Sequence, residues 1–491
     1  MAGGDTEPRT EPFSEPQRLE KLRELVSLGI DPFGHRFTGI THHAEEIAAH
    51  CDDLAGQAVR IAGRVRAVRL HGGSCFLDLH DESGRIQVYV RKDAVGDASF
   101  RLLDLLDLGD FLGVDGTVFR TRRGEPSVDA TSFVPLAKAL RPPPEKYHGL
   151  QETELRYRYR YLDLMANPEV RRIFRQRTAI VQAFRRTLDA RGFLEVETPV
   201  LHHQATGAAA RPFETHHNAL DLDLSLRIAL ELHLKRLLVG GFERVYEIGR
   251  VFRNEGISTR HNPEYTLMEC YQAYGDREDM MDLTEALVRE SALAALGQTR
   301  FTYRGEEFDV GEPWRRVTFA QAIRDHGGPD IDKLRAEEDW RGVAREAGVD
   351  SAQPITKLMD DLFEHYAQPH LRQPTFLLDH PAAMSPLARA AADPRYALRF
   401  EPMIAGMEIG NAYTEQNSPL AQREAFEQQA NERQRGDAEA HPLDEDFLFA
   451  LEHGMPPTGG LGIGIDRICM LLLDAPNLRE VILFPLQRPR A

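Results

Sequence analysis

The sequence predicts an α+β chain in two parts: a small closed β-barrel, then a larger domain on an antiparallel sheet. Three observations predict it. From Val59 the chain alternates apolar and polar residues in short runs separated by glycine-marked turns, the pattern of half-buried strands. Three consecutive prolines at 142–144 then interrupt it. The remainder mixes strand and helix patterns with no repeating β-α-β period, which argues against a doubly wound parallel sheet.

The 491 residues are 42% hydrophobic, enough for sizeable cores. The net charge of -17 argues against a protein that merely coats nucleic acid, although one local basic face can still bind phosphates. Cys51, Cys75, Cys270 and Cys469 lack C-x-x-C spacing and read as reduced, packed thiols of a cytoplasmic protein. No stretch approaches the roughly 18 apolar residues of a membrane span, so no membrane partner is expected.

"MAGGDTEPRTEPFSEP" is polar, acidic and proline-rich. It lacks the apolar core of a secretion signal and reads as a disordered tail. Leu19, Leu22, Leu25 and Leu28 then space a short amphipathic helix ended by Gly29, so 1–56 form a tail and helical extension. Residues 57–143 hold about five strands, with a turn at Glu82-Ser83-Gly84 and a helical interruption near Phe100–Leu108, as in an OB-type Greek-key barrel. Residues 144–165 read as a stiff linker and 166–491 as the second domain. Helical periodicity there starts near Pro168 and ends at Gly192, a strand is expected in "FLEVETPVL", and a helical insertion at about 330–365.

"FRNEGISTRHNPEYTLME" (Phe252–Glu269) concentrates charge at what reads as the bend of a hairpin. Strand side chains alternate faces, so pairing would put Arg253, Glu255, Tyr265, Glu269 and Tyr271 on one face, with Arg260 and His261 in the loop. A solvated face with surface ion pairs is the bland alternative. It fits poorly, because charges inside apolar strands are costly without partners. A ligand carrying both signs would satisfy them. "GLGIGIDR" (Gly460–Arg467) has the wrong spacing for a dinucleotide-binding loop; it reads as a small-residue strand leading into a helix that carries Arg467.

These residues carry a family resemblance. "FRNEGISTRHNPEYT" resembles motif 2 of the class II aminoacyl-tRNA synthetases, "GFLEVETPVL" motif 1 and "GLGIGIDRICMLL" motif 3. The resemblance runs from about Leu19 to the C-terminus and is strongest to the lysyl-tRNA synthetases. It implies a class II catalytic domain on an antiparallel sheet, an anticodon-reading OB barrel, ATP, L-lysine and tRNA-Lys as substrates, Mg2+ bound with ATP, and a homodimer built through motif 1.

It also implies roles for individual residues. Arg253 and Arg467 are the catalytic arginines, Arg253 on the substrate carboxylate and α-phosphate, Arg467 on the γ-phosphate. Glu255, Arg260, His261 and Asn262 lie around ATP, and Tyr265 stacks on adenine. Glu401 and Glu408 hold metal, brought together by a turn at Ala405-Gly406. The lysine site comprises Gly207, Glu231, Arg253, Glu269, Tyr271, Asn411, Tyr413, Glu415 and Gly462. Arg64, Phe76 and Gln87 read the anticodon; by pattern alone, Phe76 fits the barrel core as well. A pocket for a cationic side chain needs buried negative charge, which Glu269 and Glu415 supply.

The chain departs from the family at Thr206, where a glycine is common, at Leu230 for proline, at Met407 for a basic residue, and at Tyr413 for phenylalanine. Two other readings compete. Relatives that load lysine onto proteins lack the barrel. An RNA-binding regulator with a decayed catalytic module would not keep Arg253, Glu255, Arg467, Glu401 and Glu408.

Overall fold

The computed structural model describes residues 15–34, 36–144, 150–204, 206–208, 210–434 and 443–489. The chain divides into two compact units, Met1–Leu150 and Gln151–Ala491. The expected disordered tail, apart from its last two residues, lies outside the described residues.

In the first unit, β1 (Ala58–His71), β2 (Ser74–His80), β3 (Arg85–Arg91), β4 (Phe111–Arg120) and β5 (Pro126–Ala137) close a barrel in the order β1-β2-β3-β5-β4. Only β3 and β5 run parallel, and a bulge between Val65 and Ala67 bends β1. Alternate residues point inward: Ile61, Val65, Leu77, Leu79, Val88, Val114 and Val128 form the core. The Glu82–Gly84 turn is tied by Asp81, whose Oδ1 accepts from the Ser83 and Gly84 amides. The interruption between β3 and β4 starts earlier than expected, with short helices from Lys92 onward.

The N-terminal helix runs Pro16–Ser27, and Gly29 leaves it at φ 73°. Its leucine stripe is not what anchors it. Only Leu25 of the four leucines is buried; Arg18 is buried too and donates to the carbonyls of Leu108 and Ala139.

The linker expected over 144–165 is corrected. Residues Thr153–Arg158 and Arg160–Ala166 are helices of the second unit. Their arginines bind inward instead of meeting solvent. Arg156 pairs with Glu480, while Arg160, fully buried, meets Asp163 at 2.5 Å and donates to the carbonyls of Leu483 and Arg479. These basic residues are the clamp that fastens the segment to 477–483.

The second unit contains β6 (Leu194–Glu195), β7 (Leu201–His202), β8 (Glu214–His217), β9 (Leu222–Leu226), β10 (Arg244–Phe252), β11 (Glu264–Ala273), β12 (Arg300–Tyr303), β13 (Glu306–Asp309), β14 (Arg315–Thr318), β15 (Thr375–Leu378), β16 (Arg399–Ile404), β17 (Met407–Glu408), β18 (Gly410–Thr414) and β19 (Thr458–Gly464). Its main sheet has the order β14-β15-β16-β18-β19-β11-β10-β6, with β17 added beside β16. The central pairs are antiparallel; β14–β15 and β10–β6 at the two ends are parallel. The strand expected in "FLEVETPVL" is short because Thr198 turns away, its amide and hydroxyl donating to Glu247 before Pro199.

One face of the sheet buries the helices Pro168–Asp189, Arg277–Leu296 and Ile465–Leu472 in the largest core. Helices Glu231–Val239 and Glu445–Glu452 belong to a second cluster that includes Tyr271. The insertion packs Trp340, Leu358 and Phe363 in a third cluster, together with Val317, Leu377 and Met403 of the sheet's β14–β16 end.

Asp163 balances two partly or fully buried arginines, so Asp163→Ala should cost about 3–5 kcal/mol by leaving guanidinium charge unpaired. Urea unfolding followed by circular dichroism measures this. A loss below about 1 kcal/mol would mean that Glu480 and the carbonyls suffice.

Candidate active site

The charged hairpin forms as read. β10 and β11 pair in the register Val245↔Tyr271, Glu247↔Glu269 and Val251↔Tyr265, and the Arg253 amide extends the ladder to the Pro263 carbonyl. Opposed residues share a face, so Arg253, Tyr265, Glu269 and Tyr271 lie together. Glu255 is a correction: β10 ends at Phe252, and the strand alternation does not reach it. It is an exposed residue of the loop. The loop itself is organised by Ser258, whose hydroxyl accepts from the amides of Arg260 and His261. Arg253 is half-buried, and its side chain's sole hydrogen bond among the described residues is a long one, 3.4 Å to the Ile228 carbonyl. Its guanidinium lies 5.5 Å from the Tyr265 ring, covering one face of it. Asn262 is buried, and its Oδ1 has no hydrogen-bond partner.

Across the sheet, β19 places Gly462 between Glu269 and Asn411, and Gly460 between Tyr271 and Tyr413. A Cβ on Gly460 would lie 1.9 Å from Glu415 Oε1 and 2.6 Å from Tyr271. A Cβ on Gly462 would meet nothing closer than 3.5 Å. The glycine that makes room for the acidic residues is therefore Gly460, which sequence reasoning missed.

Three buried carboxylates gather here: Glu231, Glu269 and Glu415. Glu269 accepts from the Tyr271 hydroxyl at 2.9 Å and from the Leu230 amide at 3.1 Å. Burial, then the charge of Glu231, pushes it up to about 7. Burial also pushes Glu415 up to about 8, against the opposing pull of Lys235. Glu415 is 1% exposed, and neither of its oxygens accepts a well-directed hydrogen bond. Lys235, wholly buried, stands 2.5 Å from Glu231 and 2.5 Å from Glu415. It too was missed; four residues after Glu231 on a helix is also the spacing of an ordinary surface ion pair. Gly207, at φ 93°, packs on Ala229 and Glu231 where the helix begins.

Ile404 and Met407 pair across Ala405-Gly406, both at positive φ, in a tight hairpin turn. This puts Glu408 opposite Met403, on the face that carries Glu401. Arg399 donates to Glu401 at 2.6 Å. Burial opposes the ionisation of Glu401, but His380 and Arg399 outweigh it and hold the group down at about 2. Glu408 is pushed up, by burial and then by Glu401, although Arg467 lies 3.1 Å away. Among the described residues no three His, Cys, Asp or Glu side chains cluster as a metal site, so these two carboxylates would need oxygens from a ligand.

The family departures are all accommodated. Thr206 donates to Asp444, the cap of the helix Glu445–Glu452; the Tyr413 hydroxyl accepts from Asn411; Met407 is buried in the core. Leu230 supplies the amide that reaches Glu269.

On the barrel, Phe76 is not core. It points outward between the buried Cys75 and Leu77 and stacks on Tyr89 at 4.6 Å, with Phe119 beyond. Gln87 shares this outer face, accepting from Ser127. Arg64 is also on it, but opposite His80, its guanidinium donating to the Gly109 carbonyl and stacked on Phe111. The arginine opposite Phe76 is Arg69.

The family described as tRNA synthetases class II (D, K and N) matches residues 152–488, and an OB-fold nucleic acid binding domain matches 59–136. Lysine–tRNA ligase from Moorella thermoacetica is 55% identical over 96% of this chain and 97% of its own. The corresponding enzymes of Enterococcus faecalis and Bacillus subtilis are each 51% identical over 96% of this chain and 96% and 97% of their own. With an antiparallel sheet carrying the three motifs and a closed five-stranded barrel before it, the chain belongs to the lysine–tRNA ligase family of class II tRNA synthetases.

Proposed function

We infer that the protein activates L-lysine with ATP and transfers it to the 3′ end of tRNA-Lys. The observation that carries this reading is the buried acidic pocket of Glu231, Glu269 and Glu415 beside the under-partnered Arg253. A zwitterion with a second ammonium group matches it: carboxylate on Arg253, α-ammonium near Glu231 and Gly207, side-chain ammonium between Glu269 and Glu415. Tyr271, Asn411, Tyr413 and Gly462 complete the lining.

In the first step an oxygen of the lysine carboxylate bonds to the α-phosphorus of ATP. The bond to the β-phosphate breaks, and diphosphate leaves. The protein's part is positioning and charge neutralisation, which suits arginine forks and needs no nucleophile of its own. Arg253 holds both the attacking carboxylate and the α-phosphate. Glu255, Arg260, His261 and Asn262 surround the nucleotide, and adenine takes the face of Tyr265 that Arg253 leaves open. Arg467 exchanges its contact with Glu408 for the outer phosphates. In the second step the terminal ribose hydroxyl of the tRNA attacks the lysyl carbonyl, and AMP leaves.

Glu401 and Glu408 fit magnesium, a hard cation that takes carboxylate and phosphate oxygens. The repulsion that raises Glu408 is what a cation would relieve. Held by Glu401 and Glu408, the ion would supply positive charge against the phosphate oxygens. The barrel reads the anticodon through Phe76 and Gln87, with Arg64 at the margin of that face. Leu194, Val200 and Leu201, exposed apolar residues of the motif 1 segment, support a homodimer through that surface. No helix among the described residues is long and apolar enough to cross a membrane, and the four buried, unpaired cysteines are compatible with the reducing cytoplasm.

ATP–diphosphate exchange across the twenty amino acids tests the activity. Exchange should appear with lysine, vanish with a chelator and return with Mg2+, in a species sedimenting at twice the chain mass. Exchange with aspartate or asparagine instead would overturn the pocket assignment.

Glu269→Gln should weaken lysine binding by about 3–5 kcal/mol, more than about a hundredfold in affinity. Because Glu269 and Glu415 have folded values of about 7 and 8, they become ionised acceptors only as pH rises through that window. The lysine KM should therefore fall from about pH 6.5 to 8.5. The same raised values mean that ligand-free protein loses stability from about pH 4.5, the ordinary carboxyl value, until the folded values of about 7 and 8 are passed, so lysine should raise Tm more above pH 8 than below pH 7. A flat KM would sink this.

Phe76→Ala should raise the tRNA KM by the loss of one stacked base, about 1–3 kcal/mol. Unaltered charging kinetics would remove Phe76 from the interface.

A further inference from the structure

The pocket holds one charge too many for its acids to act alone. Glu231, Glu269 and Glu415 are 6%, 5% and 1% exposed, and Lys235 is 0% exposed between two of them. Its ammonium also lies 5.9 Å from the Tyr271 ring and 5.8 Å from that of Phe447. A buried ammonium is expensive, and a side chain of similar length without charge would fill the same space. The charge itself must have a use.

We propose that Lys235 is a positioning residue that sets the charge of the amino-acid pocket, leaving two net negative charges to match the two ammonium groups of a diamino acid. This rests on the lysine reading above. With all three ionised, as an ammonium ligand requires, three carboxylates less one ammonium leave two; the substrate carboxylate is answered separately by Arg253. With lysine bound, the closed site is neutral. An amino acid with an apolar side chain brings one ammonium and leaves one negative charge buried. An acidic one leaves two and adds its own. Lys235 also fixes geometry. It gathers Glu231 from the helix and Glu415 from beyond β18, holding two like charges together that would otherwise separate or take up a proton. A protonated carboxyl would offer a hydrogen where the substrate ammonium needs an acceptor.

Charge matching and mere packing give opposite signs for one double variant. Lys235→Met leaves three net negative charges, and lysine KM in diphosphate exchange should rise by about tenfold or more, with ATP KM little changed. Glu415→Gln alone leaves one net negative charge. Adding Lys235→Met to it restores two, so the double variant should bind lysine more tightly than Glu415→Gln alone. If Lys235 merely supports the fold, the double variant binds more weakly than the single, and the proposal fails. It fails equally if Lys235→Met leaves the lysine KM unchanged. Should Lys235→Met not fold, the double variant against Glu415→Gln decides, since removing both partners leaves no orphaned charge between them. Absence of lysine-dependent exchange in the unaltered protein would instead refute the reading on which this rests.

Discussion

Charge cannot be kept out of water without a partner, and the centre of the second unit's sheet keeps more carboxylate there than it answers. Glu231, Glu269 and Glu415 converge from a helix, a strand and a strand end onto one face, with a single ammonium among them. The hydrogen bonds from Tyr271 and Leu230 satisfy part of Glu269 and none of Glu415. Much of the neighbouring architecture follows from making this arrangement tolerable until a cationic ligand arrives.

β19 is the clearest case. A strand of "TGGLGIG" is a poor strand by propensity, since glycine adds backbone entropy and no packing. Yet it lies between β11 and β18, the two strands that carry Glu269 and lead to Glu415. A side chain at Gly460 would occupy the position of the Glu415 carboxylate. The loss in strand stability is offset by the buried helices on the opposite face, where Ile463 and Leu461 join the largest core. The same strand thus alternates between a face that must be empty and a face that must be full.

The sequence was most legible where periodicity and charge conflicted. Charged residues at alternate positions in apolar strands located the hairpin face, and the Ala405-Gly406 turn reconciled two carboxylates at odd spacing. Barrel strands were legible from period two alone. Three things were not. The helices that carry Arg156 and Arg160 read as a linker because sequence does not reveal that 477–483 returns to accept those arginines. Lys235 went unnoticed because Glu415, which shares it with Glu231, is 180 residues away. Arg64 and Arg69 are both outward on β1, and only strand register shows which one faces Phe76. The first two failures concern contacts between distant segments; the third, like the misplaced Glu255, concerns strand register and strand ends, which period two alone does not fix.

The departures from the family pattern point the same way. A proline has no amide hydrogen to give; Leu230 has one, and it reaches Glu269 at 3.1 Å. A bond donated to a carboxylate favours its ionised form. Burial and Glu231 press in the opposite direction. Leucine at this position therefore shifts the balance toward the anion that a substrate ammonium requires. Tyr413 and Thr206 are comparable: each adds a hydroxyl, and each hydroxyl is partnered, by Asn411 and Asp444. A buried hydroxyl without a partner would be a loss. These substitutions bring new polar groups into the pocket wall, and the wall supplies a partner for each, so the charge arrangement at its centre is left intact.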